Sequence, residues 1–147
     1  MSEKEVLMVS KAMRRRIGYS LSYEAIAIVC TTIFLVIAGN DPVRSFPVAI
    51  ATSLIAIVWN LIWNTIFEFF ESRFKLKGRS AAIRSLHAIG FEGGMALISI
   101  PVLAWMLGVS VLEAFITEAG LLVFFLIYTY VFNFLFDKIF GLPESAR

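Results

Sequence analysis

A helical membrane protein of four transmembrane helices, built from a tandem repeat of two-helix hairpins, is the fold class that this 147-residue sequence predicts. Three observations carry the expectation. The chain is 59% apolar and only 16% charged, with a mean hydropathy of +0.84, well beyond the roughly 45–50% apolar content of soluble domains. Four apolar stretches, approximately 17–39, 46–70, 81–107 and 112–136, are each long enough to cross a hydrocarbon core of about 30 Å, which takes about 20 helical residues. Two patterns also recur along the chain. At an offset of 68, Arg16, Tyr19, Ser20, Tyr23 and Glu24 match Arg84, His87, Ala88, Phe91 and Glu92. At an offset of 69, Trp59, Asn60, Asn64, Phe67 and Glu68 match Tyr128, Thr129, Asn133, Phe136 and Asp137. Such self-similarity marks duplication of a two-helix unit, with a first transmembrane pair in 1–75 and a second in 76–147.

Each span has identifiable limits. Helix one follows a basic run ending at Arg16 and stops at Gly39-Asn40-Asp41-Pro42, a turn signal. Helix two runs into the charged segment from Glu71 to Arg84 that joins the halves, and Gly108 separates helices three and four. No signal peptide with a small-residue cleavage site precedes helix one, so this helix is expected to remain in the mature protein. Of thirteen Lys and Arg residues only Arg44 lies in a loop on the far side. The positive-inside rule therefore predicts that both termini and the central connection are cytoplasmic. The net charge of +2 and the pI near 8.9 follow from basic residues flanking the spans and imply no nucleic-acid role. Cys30 stands alone in an apolar helix and reads as a small hydrophobe.

Glu24 and Glu92 are the residues that demand a function. An ionisable group at bilayer depth is costly and marks a functional site by default. Residues four apart share a helix face, so Arg16, Ser20 and Glu24 form a stripe copied by Arg84, Ala88 and Glu92. Asn60, Asn64 and Glu68 form another, copied by Thr129, Asn133 and Asp137. At 1.5 Å per residue, Glu24, Glu92, Asn60 and Thr129 are all expected about 12 Å inside the cytoplasmic edge, slightly short of the midplane. Tyr23, Phe91, Trp59, Trp63 and Tyr128 would then supply apolar and π-rich walls suited to large organic cations. The polar residues have a structural reading beside the functional one, because Asn and Thr in membrane helices also join helices by hydrogen bonds. His87 either titrates or holds a helix contact, Gly93 and Gly94 favour close helix approach, and Glu118, near the outer end of helix four, reads as a release-side carboxylate or, the favoured reading, as an ordinary boundary charge.

The run R-S-L-H-A-I-G-F-E-G-G from Arg84, with W-N-x-x-W-N-x-x-F-E from Trp59, resembles the bacterial transmembrane pair domain of the Proteobacterial Antimicrobial Compound Efflux family. S-Y-E-A from Ser22, V-L-E-A-F-I-T-E-A-G from Val111 and Y-T-Y-V-F-N-F-L-F-D from Tyr128 extend the resemblance over nearly the whole chain. It implies a four-helix inner-membrane exporter of chlorhexidine-like biguanides and other cationic drugs, coupled to protons, with short diamines as candidate physiological substrates. The family's essential helix-one carboxylate maps onto Glu24. Two departures bear on substrate range: Tyr19-Ser20 stands where the pattern has His-Ala, and Trp63 precedes Asn64.

A carboxyl group held out of water has its charged form disfavoured and so takes up a proton readily. Mutual exclusion of a proton and an organic cation at one such acid couples their fluxes. The expected function is therefore antiport, with Glu24 and Glu92 coupling, with Tyr23, Trp59, Asn60, Trp63, Asn64, Phe91, Tyr128 and Thr129 binding substrate, and with Arg16, Arg84, His87, Glu68, Asn133 and Asp137 in support. No cofactor or metal is expected, only the proton gradient. Quaternary ammonium and dye cations fit the same chemistry. Four helices leave little interior for a drug-sized cavity of about 300–1,000 Å³, so a homodimer is the expected working unit. The competing reading is a membrane scaffold or accessory subunit whose polar stripes merely hold helices together. No metal cluster, nucleotide loop or nucleophile-base pair points to an enzyme.

Overall fold

The computed structural model describes residues 1–76, 78 and 80–142. Lys77, Arg79 and Arg147, which contribute to the basic segments, lie outside the described residues, as does the rest of 143–147. The described residues form four α-helices and no strand: α1 (Glu3–Ile37), α2 (Pro42–Arg73), α3 (Ala81–Leu107) and α4 (Val111–Phe140). All four are long and apolar enough to cross a membrane, and the chain is a multi-pass membrane protein.

Helix α1 starts well before the apolar stretch. Ser2 accepts the Glu5 backbone N–H while the Glu5 carboxylate accepts that of Ser2, a reciprocal cap that satisfies two donors at the helix start. Nothing breaks the helix between there and the membrane, so its 35 residues reach about 52 Å. Each later helix also starts on a side-chain cap, from Asp41, Ser80 and Ser110.

The two hairpin turns lie together at one end of the bundle, and the start of α1, the ends of α2 and α4 and the start of α3 lie at the other. Gly108 ends α3 in the left-handed region at φ 70°, a conformation that favours glycine. Arg44, at the start of α2, donates to the Leu107 carbonyl at 3.3 Å. This cation thus sits at the negative end of α3, where a positive charge is favoured, and links the two turns. Beneath it Leu35, Val48, Leu103, Leu107 and Ala114, from all four helices, form a tightly buried cluster that seals the turn end. Outward faces are apolar, with Leu61, Leu97 and Trp105 exposed, as lipid contact requires.

Candidate functional site: a carboxylate-lined cavity on the repeat axis

Between the sealed turn end and the terminal end lies a cavity of about 240 Å³. Its walls follow the duplication. Tyr23, Glu24 and Ala27 line it with their counterparts Phe91, Glu92 and Met95; Ala49, Thr52, Ser53 and Ala56 line it with theirs, Glu118, Leu121, Leu122 and Phe125. Every second-hairpin lining residue is the repeat partner of a first-hairpin one, so the cavity sits where the two hairpins face each other. The first hairpin adds Ile28 and the buried Thr31.

The side chains have diverged within that shared frame. In the first hairpin Ser53 of α2 donates its hydroxyl to the Glu24 carboxylate of α1. Its counterpart Leu122 offers Glu92 no such bond, and Glu92 remains exposed along the bundle's flank. Where the first hairpin has the buried Ala49, the second has Glu118. Glu118 therefore belongs to the cavity rather than to the boundary where the sequence reading put it. It lies about 10 Å below the start of α4 at Val111, two helical turns down, and that depth was the available signal. Ser99, the repeat partner of Thr31, is fully buried beside Glu118, with its hydroxyl in no hydrogen bond of ordinary geometry.

Most of the remaining expected site residues build two helix seams outside the cavity. On the α2–α3 seam the Trp59 indole N–H donates to the Phe91 carbonyl at 2.9 Å and that of Trp63 to the His87 carbonyl at 3.1 Å. One turn toward the termini His87 Nε2 meets Asn64 Oδ1 at 3.1 Å, and Asn64 donates back to Asn60. The α4–α1 seam repeats this arrangement. Tyr128 donates its hydroxyl to the Tyr23 carbonyl at 2.8 Å, Tyr23 shares a hydrogen bond with Thr129 at 2.8 Å, and Tyr19 donates to Asn133. His87 thus holds a helix contact, as Tyr19 does in its place on helix one.

Of the ten residues expected to couple or bind substrate, the cavity receives Glu24, Glu92, Tyr23 and Phe91; Trp59, Asn60, Trp63, Asn64, Tyr128 and Thr129 lie at the seams or, for Asn60, at the exposed surface. Among the supporting residues, Arg16 is exposed and the ion pair to Asp137 comes from Arg15, at 2.8 Å. Glu68 and Arg84 are exposed near the terminal end. The four-residue stripe misplaces Arg16 because each step of four overshoots a turn by about 40°; by Arg16 the stripe has left the cavity face. Gly93 meets nothing, whereas Gly90 and Gly94 lie under the rings of Trp63 and Trp59, so these glycines admit indoles rather than a neighbouring backbone. Among the described residues no group of three His, Cys, Asp or Glu is placed to hold a metal ion.

Fold and site together define a small polytopic membrane transporter with an acidic internal cavity. The chain belongs to the chlorhexidine efflux transporter family, whose model matches twice, over residues 11–73 and 79–142. It is 43% identical over 128 residues to a short-chain diamines transporter of Vibrio parahaemolyticus, covering 84% of this chain and 89% of that protein. Short-chain diamines transporters of Acinetobacter baylyi and Acinetobacter baumannii are 37% and 34% identical over 134 residues, covering 90% of this chain and 92% and 90% of theirs. No solved structure matches the chain significantly. The family and these relatives are transporters, not enzymes, and efflux is the general activity that the family description gives.

Proposed function

We propose that this chain is a proton-coupled exporter of organic cations in the bacterial inner membrane, with both termini cytoplasmic, a homodimer as working unit and Glu24 as the acid where proton and cation exclude each other. The observation that carries the reading is the position of Glu24: inside the apolar stretch of α1, in a cavity between duplicated hairpins, with Ser53 donating to its carboxylate. A hydroxyl donor supports the charged carboxylate when a cation binds and still leaves an oxygen for a proton. The sealed cluster at the turn end fits a state closed on the outer side. In the cycle, a cation arriving from the cytoplasm or inner leaflet replaces the proton, the hairpins reopen outward, and a periplasmic proton displaces the cation. The proton gradient alone drives it.

The names of the relatives support short diamines as substrates, and the family description supports chlorhexidine-like biguanides. At about 240 Å³ the cavity is smaller than the about 300–1,000 Å³ of drug-sized sites. A short diamine fits this state. Biguanides, quaternary ammonium ions and dyes require the hairpins to part, or a second copy to widen the site. In proteoliposomes under a pH gradient, wild-type protein should move a labelled short diamine, and Glu24→Gln, which keeps size and hydrogen bonding, should reduce transport to background. Wild-type transport by a folded Glu24→Gln protein would remove this acid from the mechanism.

A further inference from the structure

Glu118 has no task in the exchange just described, although it is a carboxylate at membrane depth lining the same cavity as Glu24 and Glu92. A cost of that kind is retained where the group meets a charge or a substrate. Among the described residues no Lys or Arg lines the cavity. The hydroxyl of the fully buried Ser99 lies beside Glu118 and serves that carboxylate, which leaves an acid at one wall of the cavity with no protein cation lining it to answer the charge.

Depth assigns that wall a role. At 1.5 Å per residue Glu24 lies about 20 Å below the end of α1 at Ile37, and Glu118 about 10 Å below the start of α4, so the two acids differ in depth by about 10 Å. An extended diammonium ion of four or five carbons spans about 6–8 Å between nitrogens and reaches an oxygen about 2.8 Å beyond each. We infer that Glu118 is a specificity-determining residue that binds the second ammonium of a short diamine whose first ammonium sits at Glu24. The assignment rests on the exporter reading and goes beyond it in naming the residue that distinguishes two charges from one. The apolar wall between the acids, Ala27, Ile28 and Leu121, matches the methylene chain.

The test compares putrescine, the one-carbon-longer cadaverine and n-butylamine in proteoliposomes of wild-type, Glu118→Gln and Glu118→Asp protein, with detergent-purified monodispersity as the fold check. Wild type should prefer putrescine, and Glu118→Gln should lower the putrescine-to-butylamine preference at least tenfold. Glu118→Asp keeps the charge but withdraws it by one methylene, so it should retain a preference for diamines and move the optimum to the next longer one. A preference that survives in Glu118→Gln, or a variant that loses putrescine and butylamine in proportion, overturns the assignment and leaves the exporter reading standing. Wild-type protein that moves none of the three amines overturns both.

Discussion

The two long seams of the bundle, α2 against α3 and α4 against α1, perform the same connection with different side chains. In each, an aromatic ring donor on the even-numbered helix reaches a backbone carbonyl one helix over: Trp59 to Phe91, and Tyr128 to Tyr23. One turn closer to the termini an asparagine meets a ring, Asn64 with His87 and Asn133 with Tyr19. The acceptor of the first bond is backbone, present whatever residue occupies the position, so the duplicated copies were free to exchange indole for phenol. That exchange has a steric condition. Trp59 and Trp63 lie on Gly94 and Gly90, whereas the repeat positions on α1 are Ile26 and Ser22, facing a seam built from the slimmer Tyr128 and Phe132. The α4–α1 seam packs Tyr19 and Tyr23 edge-on against Phe132 and Phe136 where the α2–α3 seam sets His87 against Trp63 and Phe67, and it adds the Arg15–Asp137 pair, with Arg15 also over the Phe136 ring.

The strongest way to break the comparison is Gly94→Ala. A Cβ there would lie 2.0 Å from Trp59 Cζ2, so the indole must leave and its hydrogen bond with it. Overpacking of this kind costs about 1–3 kcal/mol, visible as a lower melting temperature in detergent. Combining it with Trp59→Tyr, which imitates the other seam, should recover most of the loss. A wild-type melt for Gly94→Ala alone would show that the glycine is not there for the indole.

A smaller effect is expected from Tyr128→Phe, which deletes the donor to the Tyr23 carbonyl while keeping the ring stack. Hydrogen bonds between membrane helices average about 0.6 kcal/mol and reach about 1.7 kcal/mol, so unfolding in mixed micelles should shift by that order. A shift as large as that of Gly94→Ala would mean that the hydroxyl, rather than ring packing, holds this seam.

Least is expected of Arg15→Gln. The pair with Asp137 is partly exposed, with side chains 26% and 37% accessible, and such pairs contribute about 0.2–1 kcal/mol. The loss should shrink as salt rises, since exposed charges are screened over about 10 Å at 0.1 M. A salt-independent loss would assign the contribution to Arg15 packing on Phe136 instead of to the charge pair.

Much of this architecture was legible in order along the chain. Four spans follow from hydropathy, because a bilayer imposes the same thickness on every helix that crosses it, and the duplication is plain from two recurring patterns. The depth of Glu24 and Glu92 was also legible, since rise per residue is constant. Glu118 reads in the sequence as a release-side carboxylate or, in preference, as a boundary charge because it has no acidic repeat partner; its distance into α4 is the signal in the sequence, and the structure adds the buried Ala49 at the matching place.

What the sequence by itself determined is therefore the class of protein, the number and pairing of its helices, the family motifs and the level of its two repeated acids. What only the tertiary structure decided is the rotation of each helix: that Trp59, Asn64, Tyr128 and Asn133 close seams, that Asn60 faces outward, that Ala49, Thr52 and Ser53 face the cavity, and that Glu118 joins Glu24 there. The reason lies in the solvent. In water a helix reveals its buried face by where its apolar residues fall, but in a bilayer both lipid and bundle interior accept apolar side chains. Rotation is then set by how rings, glycines and hydrogen-bond donors on one helix meet those on the next.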